Sequence, residues 1–136
     1  FQPREKNRLT LAIPLADDRR TISQHFGEAP FYRLLVLNRR KGEIIDDSFL
    51  ENPYLEEAKG KGIKVAQWLL EKGLDMLICR HDQKGKGPGY VLGNGGAEII
   101  LTEVSDNEEA LEEVLANMGK SASADGYPET LSIPGG

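Results

Sequence analysis

The chain is predicted to fold as an α/β domain around one mixed five-stranded sheet with helices on both faces. Three observations carry the prediction. Apolar periodicity runs in the order β-β-β-α-β-α-β-α. The three strand-like segments that come first have no helix between them, as antiparallel neighbours allow. The later strands each follow a helical segment, as parallel crossovers require.

Each element has its own local reason. From Leu9, apolar residues alternate with small ones: Leu9, Leu11 and Ile13 on one face, Thr10 and Ala12 on the other. This is a strand ending at Pro14, with a tightly packed helix expected on its small-residue face. Leu15 to Pro30 carries turn and cap residues and reads as a loop with room for one short helical turn. Phe31 to Leu37 is almost continuously apolar, an interior strand. Arg39 to Gly42 is a charged turn, and Glu43 to Leu50 a weaker strand at the sheet edge. A helix follows from about Ile63 to Lys72, with Ile63, Ala66, Leu69 and Leu70 as its apolar stripe and Gly73 as its stop. Asp75 to Arg80 is a buried strand. Lys84 to Gly89 is a glycine-rich loop that opens a short helix, with Pro88 near the first position and Gly95-Gly96 at its close. Ala97 to Thr102 is the last strand. Ser105 and Glu108 have capping-box spacing before a helix carrying Ala110, Leu111, Val114, Leu115 and Met118. Right-handed crossovers then give the strand order 3-2-1-4-5, a ribonuclease-H-like topology. Residues 1–8 read as a linker, 9–118 as the domain, and the Gly/Ser/Pro-rich residues 119–136 as a flexible tail.

A chain of 136 residues and 15.0 kDa is one domain's worth. A formal charge of −5 disfavours a bulk electrostatic nucleic-acid binder. The single cysteine, Cys79, excludes an internal disulfide and a four-cysteine zinc site within one chain, and fits a reducing compartment. No apolar run approaches the roughly 18 residues of a membrane helix. The chain begins at Phe1 and reads as a piece of a longer polypeptide.

The two histidines, His25 and His81, lie just beyond the first and fourth strands, and Cys79 stands two residues before His81. If those strands are parallel neighbours, their carboxyl ends open on one edge, where ligands of α/β sheets sit. His25, Cys79 and His81 then become candidate metal ligands, since imidazole and thiolate suit iron, zinc or an iron–sulfur species. Each also has a plain structural reading: a loop cap, a small buried hydrophobe and a solvated loop residue. The Lys84–Gly89 loop offers an anion site through Lys86 and the backbone of Gly87 and Gly89. A glycine-rich turn needed only for geometry is the alternative. Gly60-Lys61-Gly62 is a second, weaker anion candidate. A ribonuclease-H nuclease needs clustered carboxylates for two magnesium ions. The first strand has no Asp or Glu, and Asp82 is the one acid well placed at the carboxyl edge.

The stretch Ala12-Ile13-Pro14-Leu15-Ala16-Asp17-Asp18, followed by Ile22-Ser23-Gln24-His25-Phe26-Gly27-Glu28-Ala29-Pro30-Phe31, resembles the dinitrogenase iron–molybdenum cofactor biosynthesis family (NifX and the C-terminal part of NifB). Asn52-Pro53, Lys61 to Ala66, Leu70 to Asp75 and Gly87-Pro88-Gly89 continue the match in order, so that it covers about Leu9 to Met118. The resemblance implies a ribonuclease-H-like fold without nuclease activity that binds iron–sulfur or iron–molybdenum cofactor precursors. The exit of the fourth strand, Cys79 to Asn94, is longer, basic and glycine-rich. In that it is similar to the domain appended to some cation diffusion facilitator transporters.

The expected function is therefore a non-enzymatic cytosolic domain, at the cytosolic face of the membrane if fused to a transporter. Its ligand is an iron–sulfur or iron–molybdenum-type cluster or a divalent metal, held by His25 with Cys79 and His81 and by the Lys86–Gly89 loop. No nucleic-acid partner is expected. A homodimer could close the site. The alternatives are a regulatory or dimerisation module of a cation efflux transporter and a phosphate or nucleotide sensor.

Overall fold

The computed structural model describes residues 8–126 apart from 39, 42 and 84. Strand β1 (Arg8–Leu15) lies at the centre of a five-stranded sheet. It pairs antiparallel with β2 (Phe31–Asn38), which pairs antiparallel with the edge strand β3 (Glu43–Glu51). On its other side β1 pairs parallel with β4 (Met76–Cys79), and β4 pairs parallel with β5 (Glu98–Leu101). The order is β3-β2-β1-β4-β5, as the sequence predicts. The β1–β4 register is pinned at its start, where the Thr10 N–H donates to the Asp75 carboxylate at 2.9 Å.

The alternation along β1 sorts the two halves of the core. Leu11, Ile13 and Leu15 pack with Leu35, Leu37 and helix α3 (Asn107–Gly126). Ala12, on the opposite face, packs with Leu77 and with Val65, Ala66 and Leu69 of helix α1 (Lys61–Glu71). Helix α2 (Gly87–Asn94) adds Leu92 to the same side. Burying Val65 or Leu69 contributes ~1.5–3 kcal/mol each before chain entropy is set against it.

Several local expectations are corrected. Pro14 does not end β1. Pairing with β4 stops at Ala12, so the flank of Pro14 needs no ladder N–H, and its carbonyl accepts the Ser23 N–H at 2.8 Å. Leu15 belongs to the strand, and residues 16–30 contain turns but no helical turn. The loop from Ala16 to Thr21 is closed by the Asp18 carboxylate, which accepts the N–H groups of Arg20 and Thr21 at 2.9 and 2.8 Å. These bonds, with the Thr21 backbone first, lower the Asp18 pKa to about 2.

Helix α1 starts two residues before Ile63. Gly60, at φ +70°, makes the turn, and Gly62 is accommodated within the first turn. Its buried stripe is Val65, Ala66 and Leu69, while Ile63 stays 38% exposed. The expected capping box before α3 does not describe its start. The helix begins at Asn107, and the Glu108 carboxylate reaches across to Arg33 Nη1 at 3.0 Å. Arg33, buried in the otherwise apolar β2, also pairs bidentately with Asp47 at 2.9 and 2.7 Å. The Asp47 carboxylate foremost keeps that guanidinium charged. Helix α3 continues to Gly126, and residues 127–136 of the expected tail lie outside the described residues.

Close packing brings the Gly27 and Gly62 backbones and the Pro88 ring together. A Cβ on Gly27 would fall 2.6 Å from the Cα of Gly62, and one on Gly62 would fall 2.6 Å from Cγ of Pro88. Gly27→Ala is therefore expected to destabilise the fold by ~1–3 kcal/mol in urea denaturation, since the opposing backbone cannot rotate away. Gly93→Ala, with nothing within 4 Å of its Cβ position, is the control and is expected to be neutral or stabilising.

Candidate functional site

Because β1 and β4 are parallel, the chain leaves both at the same edge of the sheet. There the loop after β1, the exit of β4 and the first turns of α1 and α2 enclose a cleft of about 650 Å³. His25, His81, Lys61, Gly62, Lys86 and Gly87 are among its lining residues. The two histidines, remote in sequence, thus share one cleft, and the weaker candidate Gly60-Lys61-Gly62 belongs to it as well.

The loop that carries His25 is held by backbone-directed bonds. The Ser23 hydroxyl accepts the His25 N–H at 3.2 Å and donates to the His25 carbonyl at 3.0 Å. Below it Phe26 is buried, and its carbonyl accepts the Tyr32 hydroxyl. Burial pushes the Tyr32 phenol well above its ordinary pKa, so it remains a donor. The Asn52 amide donates to the carbonyls of Gly27 and Ala29 at 3.1 and 2.9 Å. Asn52 is buried, and its placement beside this loop has no periodic signature in the sequence.

The exit of β4 is framed in a similar way. The His81 carbonyl accepts the Cys79 thiol at 3.2 Å and the Gln83 amide at 2.9 Å. The His81 ring reaches Gln24 on the other loop, Nε2 to Oε1, at 2.7 Å. Gln24 and Gln83, neither of them prominent in the sequence, both line the cleft.

Two of the expected site residues stand elsewhere. Cys79 does not line the cleft but faces the core with Leu77 and Ala12. Burial, countered in part by its bond to His81, pushes its thiol up to about 11, so it is a neutral thiol near pH 7. Gly89 is turned inward too, and a Cβ there would fall 2.0 Å from the Gln83 carbonyl oxygen. It lets α2 approach the β4 exit. Of the Lys86–Gly89 group, Lys86 and Gly87 line the cleft.

The starts of α1 and α2 have a feature in common. Neither has a side-chain cap, and neither has an acidic residue in its first turn. In α3, by contrast, Glu108 and Glu109 occupy the first turn. The first N–H groups of α1 and α2 therefore keep unspent capacity for negative charge, with Lys61 and Lys86 beside them. Glu28 is the one acidic residue among those lining the cleft. Among the described residues no three His, Cys, Asp or Glu side chains gather to hold a metal ion. Two imidazoles fall short of the four ligands a closed zinc site takes. Beside them the cleft carries Lys61, Lys86 and the two uncapped helix starts.

The arrangement is that of an α/β domain with one cleft at the carboxyl edge of its sheet, lined by both histidines and by the starts of two helices. The chain belongs to the dinitrogenase iron-molybdenum cofactor family, whose model matches residues 7–117. Membership points to a cofactor-binding or cofactor-biosynthesis domain. Among solved structures, the fold is similar to PH0822, at 14% identity and a TM-score of 0.65, over 80% of this chain and 92% of that one. It is also similar to the apo form of the orange protein from Desulfovibrio gigas, at 18% identity and a TM-score of 0.63, over 80% of this chain and 88% of that one. At these identities the likeness speaks for the fold. No curated protein matches the sequence. Among the described residues no helix is long and apolar enough to cross a membrane. Neither the family nor the fold bears on attachment to a transporter.

The buried thiol has a measurable consequence. Its folded pKa, about 11, lies above the ordinary thiol value of 9.0. Its contribution to stability is therefore complete below pH 9.0 and is lost as pH rises toward about 11. Chemical denaturation across this range is expected to show that loss, and Cys79→Ala to reduce it. At pH 8 iodoacetamide is expected to alkylate Cys79 far more slowly in the native protein than in urea.

Proposed function

We propose that this domain is a non-enzymatic carrier that takes up an anionic metal–sulfur species, of iron–sulfur or iron–molybdenum type, as cargo in the cleft. The observation that carries the reading is the meeting of both histidines with two uncapped helix N-termini in one cleft. His25 and His81 would supply nitrogen to the metal. Lys61, Lys86 and the backbone N–H groups at the starts of α1 and α2 would meet the charge of the sulfide or oxygen periphery. Cys79 contributes from behind, through the His81 carbonyl, rather than as a thiolate ligand. Family membership supports a metal-containing cargo, and the orange protein's description as an apo form is in keeping with a ligand-bound counterpart.

The reading also suits an absence of turnover. The cleft pairs its imidazoles with cations and a single carboxylate, Glu28. A two-metal hydrolase instead needs several carboxylates converging on its ions.

The test is anaerobic titration with tetrathiomolybdate and with a reconstituted iron–sulfur cluster. Wild type is expected to bind saturably, and His25→Ala to bind about tenfold or more weakly, since a metal ligand is lost outright. Because His25 is exposed, its melting temperature is expected to stay within ~2 °C of wild type. Unchanged affinity in both His25→Ala and His81→Ala would overturn the reading. Raising the salt concentration is expected to weaken binding, as a partly exposed electrostatic site requires. Zinc alone is expected to bind more weakly than the anionic probes.

A further inference from the structure

We propose that Gln24 is the positioning residue of the cleft: it holds the His81 ring with its proton on Nε2 and leaves Nδ1 as the nitrogen that meets bound metal. The inference rests on reading the cleft as a metallocofactor site. A neutral imidazole has one N–H and one lone pair, and which nitrogen keeps the proton depends on its hydrogen-bond partner. His81 Nε2 lies 2.7 Å from Gln24 Oε1. A carboxamide oxygen only accepts, so the proton sits on Nε2 and the lone pair on Nδ1.

The rest of the frame makes this bond decisive. The main chain of His81 is fixed by the Cys79 thiol and the Gln83 amide, which both donate to its carbonyl. Gln83 is itself buried at 6% exposure, pressed by the glycine face of α2 at Gly89. With its backbone held, the ring's remaining freedom is rotation about its side-chain bonds, and Gln24 removes it. Gln24 also adjoins His25, whose own backbone is fixed by Ser23. The Gln24–His81 bond therefore joins the two imidazole-bearing loops directly. Without it a ligand would have to assemble the pair itself, and the ordering entropy would be taken from its binding free energy.

The experiment uses protein labelled with ¹⁵N in its imidazoles. The chain has two histidines, so a long-range ¹H–¹⁵N correlation resolves both. At pH 8, above the usual histidine range, metal-free wild type is expected to show His81 as the Nε2–H tautomer. Gln24→Leu is expected to lose that preference. Gln24→Glu is expected to keep it, because a carboxylate also accepts. Gln24 is exposed, so neither variant is expected to shift the melting temperature. On saturation with tetrathiomolybdate, His81 Nδ1 rather than Nε2 is expected to change its ¹⁵N shift, and Gln24→Leu to bind about tenfold more weakly. A wild-type His81 with its proton on Nδ1, a tautomer unmoved by Gln24→Leu, or a ligand shift confined to Nε2 would each overturn the proposal. Absence of saturable binding to wild type would overturn the cofactor reading and the Nδ1 assignment with it. The metal-free tautomer would still decide whether Gln24 positions the ring.

Discussion

The close approach of the Gly27 and Gly62 backbones and the Pro88 ring is the constraint on which the cleft depends. Side chains ordinarily keep a loop and a helix start several ångströms apart. Here a Cβ on Gly27 would fall 2.6 Å from the opposing Cα, and one on Gly62 would meet the proline ring at the same separation. Removing side chains from these positions lets the His25 loop rest on the first turn of α1, and lets that turn rest on α2. Both helix N-termini are thereby aimed into one space.

Around that contact, the polar groups that leave the core are spent largely on carbonyls, with one further bond from the Asn52 amide to the Tyr32 hydroxyl at 3.4 Å. Asn52, Tyr32, Gln83 and the Cys79 thiol each donate to a main-chain oxygen in a loop of the cleft. A buried donor without a partner would cost ~1–3 kcal/mol, so each of these bonds fixes a loop conformation as well as satisfying a side chain. The consequence is that the loops of the cleft are held by bonds within the chain itself. The cleft's lining includes both histidines, Lys61, Lys86 and the opening residues of α1 and α2, beside Glu28.

The opposite face of the sheet has a different task. Arg33 fastens the start of α3 to β2 and β3 through Asp47 and Glu108, and Arg20 adds an ion pair with Asp106 at 3.0 Å. None of these residues lines the cleft. The α3 side secures the sheet, while the α1 and α2 side presents the site. The small residue Ala12 at the centre of β1 is what permits α1 to lie close on that side.

The sequence by itself determined the kind, order and pairing of the strands, because alternation and continuous apolar runs are local signals with a fixed period. It marked the His25 loop and both glycine-led helix starts, because turn and cap residues act within a few positions of themselves. The alternation of Leu77 and Cys79 about Ile78 already set the thiol on a core-facing row of β4, although the neighbouring His81 invited a ligand reading. Pro14 misled because a proline ends a strand only where a ladder N–H is needed, and the tertiary structure removed that need by ending the β1–β4 pairing at Ala12. Glu108 misled because a carboxylate with capping-box spacing met a stronger partner in Arg33, brought to it by the sheet. The meeting of His25 with His81, the Gln24 bond between their loops and the glycine contact beneath them were decided by the tertiary structure alone. Each joins residues from separate elements, and no periodicity relates one element's loop to another's before the sheet has closed.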